Sequence, residues 1–302
     1  MSLLSIAGAT PSDEGFELKS GKFYDNTYLS RTPSQVGNRR TWTFSCWIKS
    51  CVVGAETQIF SAYNGSGGYS DYIRFNNLTD GLVKWTVAAG GNSGIEGALV
   101  PTQIFRDPSA WYHMVFTLDT TLAIAGNRMR MYVNGEEVTS FSTDTNPSQD
   151  YQCVNVNTTV VHRIGSSAYN AGSPFHGYLA ETYFIDGQAV GPEYFGETNA
   201  STNQWQPKNG DDVKETLEFG RNGFYQKYNS TEVNNSFPDS ATGFAVGAVG
   251  DAHTDTTIKK IGTASLQLDG TTDYLEILPS PGSNFPVAVS YTHLTLPTKR
   301  IV

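Results

Sequence analysis

Charged side chains are scarce in this sequence of 302 residues, where they make up 16%, against about 25% in an average globular domain. Basic residues are fewer than acidic ones, 20 Lys and Arg against 29 Asp and Glu, so the formal net charge is −9. No cluster of Lys and Arg stands out, which disfavours binding of nucleic acid through a phosphate-neutralising patch. The polar surface must come from Ser, Thr, Asn, Gly and Tyr, a composition that favours short strands and turns over helices.

Long apolar runs are absent as well, and none approaches the roughly 20 residues that span a bilayer. The opening segment, 1–14, has no basic region before its short apolar run, so we expect neither a signal peptide nor membrane insertion. Three cysteines, Cys46, Cys51 and Cys153, cannot form a paired disulfide framework, and their spacing does not indicate a metal site. We therefore expect free thiols and synthesis in a reducing compartment.

Alternation with a period of two dominates the chain from Phe16 to about Ile185. In the run 41–49, one face collects four apolar residues and the other is predicted to be solvated. The apolar face contains Trp42, Phe44, Cys46 and Ile48, and the solvated face contains Thr43, Ser45, Trp47 and Lys49. Such a pattern indicates a half-buried strand.

Turn signals divide the alternating runs into many short strands. Asn134-Gly135 lies between two strand-like runs and is the strongest short-range hairpin signal; Asp186-Gly187 predicts a second turn of this kind. One short helical turn is expected around Pro192–Phe195, with Pro at an early helical position. Many short strands joined by turns predict an all-β fold, an antiparallel two-sheet β-sandwich.

The sandwich is expected to occupy residues 15–196, after an N-terminal lead over 1–14. Residues 197–257 are rich in Asn, Ser, Thr and Asp but keep isolated aromatics, which are depleted in disordered segments. We therefore interpret 197–257 as a connector that packs partly on the first domain.

A short repeat points to a second copy of the domain. Tyr28-Leu29 is followed by Pro33-Ser34, and Tyr274-Leu275 is followed by Pro279-Ser280 at the same spacing. The interval 258–288 is therefore interpreted as the truncated start of a second sandwich. Residues 289–302 are expected to be adaptor-derived, because the decapeptide from Val289 to Thr298 resembles the translation of a transposase mosaic-end sequencing adaptor.

Several sequence blocks resemble laminin-G-like, concanavalin A-like jelly-roll domains, and most closely those of marine bacteriophage tail and structural proteins. The similarity covers about residues 15–228. The blocks are Tyr28–Pro33, Gly37–Thr43, Gln58–Ser61, Phe105–His113, Met131–Glu136, Gly177–Glu181, Phe184–Gln188 and Asn222–Tyr225. The resemblance implies a concanavalin A-like jelly roll and a protein of the virion tail or surface, made in the host cytoplasm.

The resemblance also implies a function, a carbohydrate-binding or adhesion module that recognises host-surface polysaccharide. A purely structural module that contacts other virion proteins is the alternative, and a glycoside hydrolase is a third possibility. No cofactor is required on this interpretation, and Ca²⁺ is an optional one. Phage fibres are commonly trimers, so a homotrimer is among the assemblies that the resemblance allows.

Residues with catalytic chemistry are present but poorly arranged for it. A retaining glycosidase needs two carboxylates about 5–5.5 Å apart, whereas Glu181 and Asp186 would face opposite sides of an unbulged strand. His113 is interpreted as a satisfied strand histidine, and no Gly-x-Ser-x-Gly motif accompanies it. The chain is therefore predicted not to be an enzyme.

Ligand binding would use loop tyrosines for the apolar faces of sugars, with neighbouring amide and carboxylate groups for their hydroxyls. The candidate ligand-binding residues are Tyr63, Asn64, Tyr69, Asp71, Tyr72, Tyr169 and Asn170. For Ca²⁺, which prefers oxygen ligands, the candidates are Asp25 and Asp186, because this fold brings its end strands together.

Overall fold

The architecture was analysed in a computed structural model. It describes residues 18–23, 28–52, 55–65, 70–75, 81–89 and 94–228, together with the backbone of four short strands between 246 and 277. The chain divides into two compact units, and the boundary between them falls after Tyr228. Asp25, Tyr69, the 1–14 lead and the 289–302 tail lie outside the described residues.

The first unit is built from two seven-stranded antiparallel sheets, as the alternating sequence predicts. In sheet A the order is β1-β13-β3-β8-β9-β10, and β16 also pairs with β13. Its strands are β1 (Gly21–Phe23), β3 (Thr41–Ser50), β8 (Tyr112–Asp119), β9 (Met129–Val133), β10 (Glu136–Glu137), β13 (Gly177–Asp186) and β16 (Phe224–Gln226).

In sheet B the order is β11-β7-β6-β5-β4-β12-β2. Its strands are β2 (Leu29–Arg31), β4 (Thr57–Tyr63), β5 (Asp71–Phe75), β6 (Val83–Ala88), β7 (Ile95–Pro101), β11 (Phe141–Thr145) and β12 (Val161–Ile164). Both sheets are antiparallel throughout, so the predicted all-β, two-sheet sandwich is confirmed.

The main core lies between the two sheets and is rich in aromatic rings. Phe44 of β3 stacks on Phe60 of β4 with ring centroids 4.8 Å apart, and Trp42 meets Trp85 edge to face at 5.6 Å. Such pairs contribute about 0.5–1.5 kcal/mol beyond the burial of their area. These contacts join sheet A to sheet B at their centres.

The hairpin predicted at Asn134-Gly135 is confirmed and joins β9 to β10. Both turn residues have positive φ, 50° and 89°, as a two-residue type I′ turn requires. A side chain at Gly135 would also meet the Trp205 ring within 3 Å. The second turn forms at Gly187, but no strand follows it.

The outer face of sheet A differs from the expectation of a solvated face. Thr43, Ser45 and Trp47 are as buried as the core residues between them, because the chain after β13 folds back over this face. The returning segment consists of a 3₁₀ turn (Pro192–Tyr194), β14 (Gly196–Thr198), β15 (Trp205–Pro207), the helix α1 (Gly210–Thr216) and β16. It forms a second apolar cluster with the sheet through Val115, Tyr183, Ile185, Phe195, Val213, Leu217 and Tyr225.

The second unit contains two pairs of antiparallel strands. The outer pair is β17 (Val246–Val249) with β20 (Tyr274–Ile277), and the inner pair is β18 (His253–Asp255) with β19 (Ser265–Gln267). The repeated dipeptide Tyr274-Leu275 thus begins a strand, and its counterpart Leu29 also begins one.

Candidate functional site

The outer face of sheet B brings together four tyrosines and two arginines. Tyr72 and Arg74 alternate with inward-facing core residues on β5, and Arg163 does so on β12, so their side chains point away from the sandwich. We call this surface the tyrosine face and define it as Tyr28, Tyr63, Tyr72, Arg74, Arg163 and Tyr169. Three of these residues, Tyr63, Tyr72 and Tyr169, are among the candidates that the sequence predicts.

Strand register fixes the relative positions on this face. Ser61 of β4 lies opposite Arg163 on one side and opposite Tyr72 on the other. Tyr63 is two residues further along β4, so it occupies the diagonal position to both, about 7–8 Å away between Cα atoms. The face therefore spans β12, β4 and β5, and Ser61 at its centre is itself fully buried.

A loop of residues 165–176 lies along this face and is attached to β4 by hydrogen bonds of the Ser61 side chain and of the β4 backbone. The Ser61 hydroxyl donates to the carbonyl of Ser166 and accepts from the amide of Ala168, both at 2.8 Å. Further along, the amide of Gln58 donates to the carbonyl of Ser173 at 2.9 Å. The loop is therefore held at both ends.

The tip of this loop presents Tyr169 and Asn170 to solvent. Tyr169 is 56% exposed, and its ring meets that of Tyr63 edge to face with centroids 5.0 Å apart. Asn170 is exposed, and its side-chain oxygen accepts from the amide of Gly172. The structure thus brings Tyr63, Tyr169 and Asn170 together, while Asn64 lies exposed just beyond the end of β4.

Asp71, a predicted ligand-binding residue, has a different environment from the one expected at a loop edge. It is 2% exposed, and its carboxylate accepts from the amides of Ala88 at 2.5 Å and Val156 at 2.9 Å. Burial raises the pKa of Asp71 to about 6, against the opposing effect of these hydrogen bonds. The residue ties β5 and β6 to the 155–156 turn and lies on the opposite side of the strand from Tyr72.

Asp186, a predicted calcium ligand, is surrounded by N–H donors. Oδ1 accepts from the amide of Asn38 at 2.7 Å and from Nδ2 of Asn157 at 2.5 Å, and Oδ2 accepts from the amide of Asn222 at 3.0 Å. A calcium ion requires oxygen ligands with accessible lone pairs. Three of about four lone-pair positions are occupied here, which leaves about one for a metal ion. The pairing of Asp186 with Asp25 at a calcium site stays a prediction.

Metal-ligating side chains do not cluster elsewhere in the described part of the chain. No group of three or more His, Cys, Asp or Glu residues lies within reach of a common ion there. Of the described cysteines, Cys46 and Cys153 are buried thiols and Cys51 is an exposed one.

Within the described ranges, His113 makes a contact that resembles a catalytic pair, but its hydrogen bonds exclude that role. Nε2 lies 2.9 Å from the hydroxyl of Ser45, while Nδ1 accepts from the indole Nε1–H of Trp205 at 3.0 Å. Since an indole can only donate, Nδ1 is unprotonated and the ring proton is on Nε2. Nε2 therefore donates to Ser45 and is unable to take its proton.

The burial of His113 also indicates a structural role. It is fully buried beneath the returning segment, stacked on Trp47, and desolvation lowers its pKa to about 3. His162 is similar: Nε2 accepts from the amide of Asn157 and Nδ1 donates to the carbonyl of Val160. Burial lowers the pKa of His162 to about 4.

Glu181 is a third buried acid, and it lies at a bulge that the sequence does not reveal. The register between β13 and β3 shifts between Ala180 and Tyr183, and Glu181 itself has a φ of 45°. Its Oε2 accepts from the hydroxyls of Tyr183 at 2.7 Å and Tyr225 at 2.6 Å. Desolvation raises the pKa of Glu181 to about 7.

The expectation of an unbulged strand is therefore wrong, but the separation of Glu181 and Asp186 stands. Glu181 contacts the two tyrosines of the outer apolar cluster, whereas Asp186 contacts Asn38, Asn157 and Asn222. The two carboxylates share none of these partners. They therefore do not form the opposed pair that glycoside hydrolysis uses.

A cleft of about 200 Å³ lies elsewhere, where the edges of the two sheets meet at β10 and β11. Its floor is apolar and includes Leu99, Met129 and Phe141. At its rim Arg130 and Glu137 form an exposed ion pair at 3.6 Å, which contributes little to stability. The sequence patterns do not mark this cleft.

Arg74, Arg163 and Tyr28 were also missed by reasoning from the sequence. Each lies at an outward position next to an apolar inward one, Ile73, Ile164 and Leu29 in turn. Alternation therefore carries the signal that they are exposed. It carries no signal that three separate strands bring them to one surface.

The two antiparallel sheets packed face to face define the class of jelly-roll β-sandwiches. A family model described as the concanavalin A-like lectin/glucanases superfamily, Laminin_G_3, matches residues 23–206. This match covers more than half of the chain, so the chain belongs to that family. No curated protein matches the chain in sequence.

Solved structures with a similar fold include three of different origin. The heptameric SAP-like pentraxin of Limulus polyphemus is 17% identical over 57% of this chain and 76% of that one, with a TM-score of 0.41. The CBM40 of the Ruminococcus gnavus IT-sialidase is 11% identical over 64% of this chain and 100% of that one, with a TM-score of 0.39. Tailspike protein 2 of Escherichia coli O157:H7 bacteriophage CAB120 is 13% identical over 58% of this chain and 23% of that one, with a TM-score of 0.40. Because all three TM-scores are below 0.5, the family assignment rests on the family model alone.

Proposed function

We propose that the first unit binds carbohydrate through the tyrosine face and serves as a non-enzymatic adhesion module. The observation that carries the proposal is the exposed ring of Tyr169, held against Tyr63 by a loop fixed to β4. A rigid aromatic ring offers a large apolar surface at little cost in conformational entropy. The apolar C–H face of a sugar ring is complementary to such a surface.

Backbone strain in the same loop supports a binding role. Ala171 and Ser173 both have positive φ, 59° and 50°, although neither is a glycine. Left-handed conformations of such residues cost on the order of 1 kcal/mol or more each and concentrate at ligand sites. Hydrogen bonds to β4 hold the loop in this conformation against the strain. The Tyr169–Asn170 tip is then ordered before the ligand arrives, which lowers the entropy lost on binding.

The non-enzymatic part of the proposal is supported by the state of the buried acids and histidines. The proton on Nε2 of His113 is directed at Ser45, and Glu181 is enclosed by tyrosine hydroxyls. Asp71 and Asp186 hold backbone amides in place. Each of these side chains uses its hydrogen-bonding positions on partners within the protein. A catalytic group would need those positions for a substrate.

The biological setting of the proposal is a phage tail or virion surface, where the module would attach to polysaccharide on a host cell. The sequence blocks around Tyr28–Pro33 and Gly37–Thr43 support this setting by their resemblance to marine phage proteins. The genes beside the complete gene test it. Tail, baseplate or capsid genes are expected there, and a bacterial operon for a secreted enzyme would contradict the setting.

A structural role between virion proteins is the second candidate, and one loop favours it. Leu122 and Ile124 are exposed apolar residues, the latter at 67%, in the connection between β8 and β9. Arg128 fixes this connection from beneath by donating to the carbonyls of Leu122, Ala123 and Pro147 at 2.7–2.9 Å. A rigid apolar tip of this kind suits contact with another protein.

Binding of the full chain to a glycan array, with Tyr169→Ala and Tyr194→Ala as matched variants, separates the two candidates. Tyr194 is also exposed, at 37%, but it belongs to the segment that covers sheet A. We expect Tyr169→Ala to weaken glycan binding at least tenfold, about 1.4 kcal/mol, and Tyr194→Ala to leave it unchanged.

Equal binding by all three proteins would show that the tyrosine face is not the site. Absence of any glycan ligand, together with co-assembly of the chain with tail proteins, would favour the structural role. Release of reducing ends from laminarin or alginate would contradict the non-enzymatic assignment.

A further inference from the structure

Both arginines of the tyrosine face lie over aromatic rings. The guanidinium carbon of Arg163 lies 4.4 Å from the ring centroid of Tyr28, and that of Arg74 lies 4.4 Å from the centroid of Tyr72. A guanidinium that stacks on a ring keeps its N–H donors around its perimeter, in its own plane. The rings therefore orient the donors without using them.

Arg163 has few partners for a side chain that carries five donors. Among the described residues it makes one hydrogen bond, from Nη1 to the carbonyl of Ser167 at 2.7 Å, and it has no acidic partner there. Arg128, by contrast, directs three bonds to carbonyls, and Arg74 is paired with Glu56 at 2.5 Å. Nε of Arg163 is buried without a partner in the part of the chain that the structure describes, so the donors left for a group outside the protein are the remaining N–H groups of its two terminal nitrogens.

Two further cations lie on the outer face of sheet B, on a chain whose net charge is −9. Arg74 of β5 lies directly opposite Lys84 of β6, and both point outward because Ile73, Phe75, Val83 and Trp85 belong to the core. Like charges directly opposite each other destabilise a sheet. Glu56, which pairs with Arg74 at 2.5 Å, offsets part of this repulsion, and a bound anion would offset more of it, whereas a neutral ligand would not.

We infer that the sugar bound by the tyrosine face carries an oxyanion, either a uronic acid carboxylate or a sulfate ester, and that Arg163 binds this group. The inference rests on the proposed function and names its ligand class. The planar guanidinium matches the two oxygens of such a group in a bidentate contact, which a lysine ammonium does not provide. Ser167, which fixes Nη1 of Arg163, is two residues from Tyr169 and joins the anion site to the aromatic ring.

Three polysaccharides test the inference with the full-length chain: laminarin as the neutral probe, alginate as the carboxylate probe and dextran sulfate as the sulfate probe. The proteins are the wild type, Arg163→Gln, Arg163→Lys and the control Arg130→Gln. Arg130 is exposed on sheet A beside Glu137, so its variant changes the net charge equally without touching the tyrosine face. Circular dichroism and melting temperature identify any variant that fails to fold, and in that case Arg163→Lys, which keeps the charge and most of the side-chain length, carries the test.

We expect alginate or dextran sulfate to bind the wild type at least tenfold more tightly than laminarin, with affinity falling as salt rises. Whichever of the two binds more tightly identifies carboxylate or sulfate as the group recognised. Arg163→Gln is expected to lose at least tenfold in affinity for that probe and little for laminarin, Arg163→Lys to lose several-fold, and Arg130→Gln to be unchanged.

Two results would overturn the inference and leave the proposed function standing: equal binding of laminarin and the anionic probes, or equal losses for all three in Arg163→Gln. An equal loss of affinity in Arg130→Gln would show that the loss in Arg163→Gln comes from the change in net charge alone. That result would also overturn the inference. If none of the probes and no array glycan binds, the inference and the proposed function fail together.

Discussion

Replacing Glu181 by glutamine removes a buried negative charge while keeping an oxygen that accepts from Tyr183 and Tyr225. The carboxyl is 2% exposed, and its pKa is raised from an ordinary value near 4.5 to about 7, mainly by desolvation. The folded protein therefore holds this proton more tightly than the unfolded chain does. We expect the glutamine variant to become more stable than the wild type as the pH rises.

The size and sign of the effect follow from linkage. Below pH 4.5 the carboxyl is protonated in both the folded and the unfolded state, so folding buries no charge at this residue. Between pH 4.5 and 7 the unfolded chain releases its proton and the folded protein keeps it, so wild-type stability falls by up to 1.36 kcal/mol per pH unit. Above pH 7 the full cost, about 3 kcal/mol at most, is present.

Urea unfolding of both proteins between pH 5 and 8, followed by tryptophan fluorescence, measures this difference. A constant offset is expected from the new amide N–H₂ group, so the test is the pH-dependent part alone. The other titrating groups, including His113, His162 and Asp71, are common to both proteins and cancel in the difference. A difference in unfolding free energy that stays flat from pH 5 to 8 would refute the assignment of Glu181 as a charge buried at a cost.

Three further perturbations test how the sandwich is held together, each by urea unfolding at pH 7. Trp205→Phe removes the indole donor to Nδ1 of His113 and should cost about 1–3 kcal/mol; an unchanged stability would contradict the tautomer assigned to the ring. Gly135→Ala should cost more than about 1 kcal/mol, since the position has a φ of 89° and faces Trp205, whereas a neutral effect would show that the hairpin end moves freely. Arg128→Met leaves three carbonyls without their donor and should cost about 3 kcal/mol, with Arg130→Met, at an exposed ion pair, as the near-neutral control.

The sequence predicts local structure well where one local rule is sufficient. Trp42, Phe44, Cys46 and Ile48 share the core face of β3 because strand side chains alternate, and Asn134-Gly135 forms a hairpin because both residues tolerate positive φ. Neither result depends on a distant part of the chain.

Errors arise where a distant segment changes the environment of a residue. Ser45 and Trp47 were expected in solvent, but the segment that returns after residue 190 buries them. Asp71 resembles a loop-edge ligand in sequence and is in fact a hydrogen-bonded acceptor for amides 17 and 85 residues away. Local spacing carries no information about such contacts.

The candidate site shows the same division. Tyr63, Tyr72 and Tyr169 could be selected because tyrosines at loop edges suit sugars, whereas Arg163 could not, since nothing near it in sequence indicates that its neighbours leave its donors unused. Asp25 and Tyr69 lie outside the described residues, and their assignments stay predictions.

Strand β13 is paired along one edge by two pieces of chain that lie far apart in sequence. β1 pairs with residues 177–179, and β16 pairs with residues 182–184. A polypeptide cut at residue 206, where the family match ends, would lack β16 and leave the backbone of Thr182, Tyr183 and Phe184 as an open edge. Such an edge is a template for pairing with other molecules. We therefore expect a polypeptide that lacks β16 to aggregate, and one that extends through β16 (Phe224–Gln226) to stay monomeric at this edge.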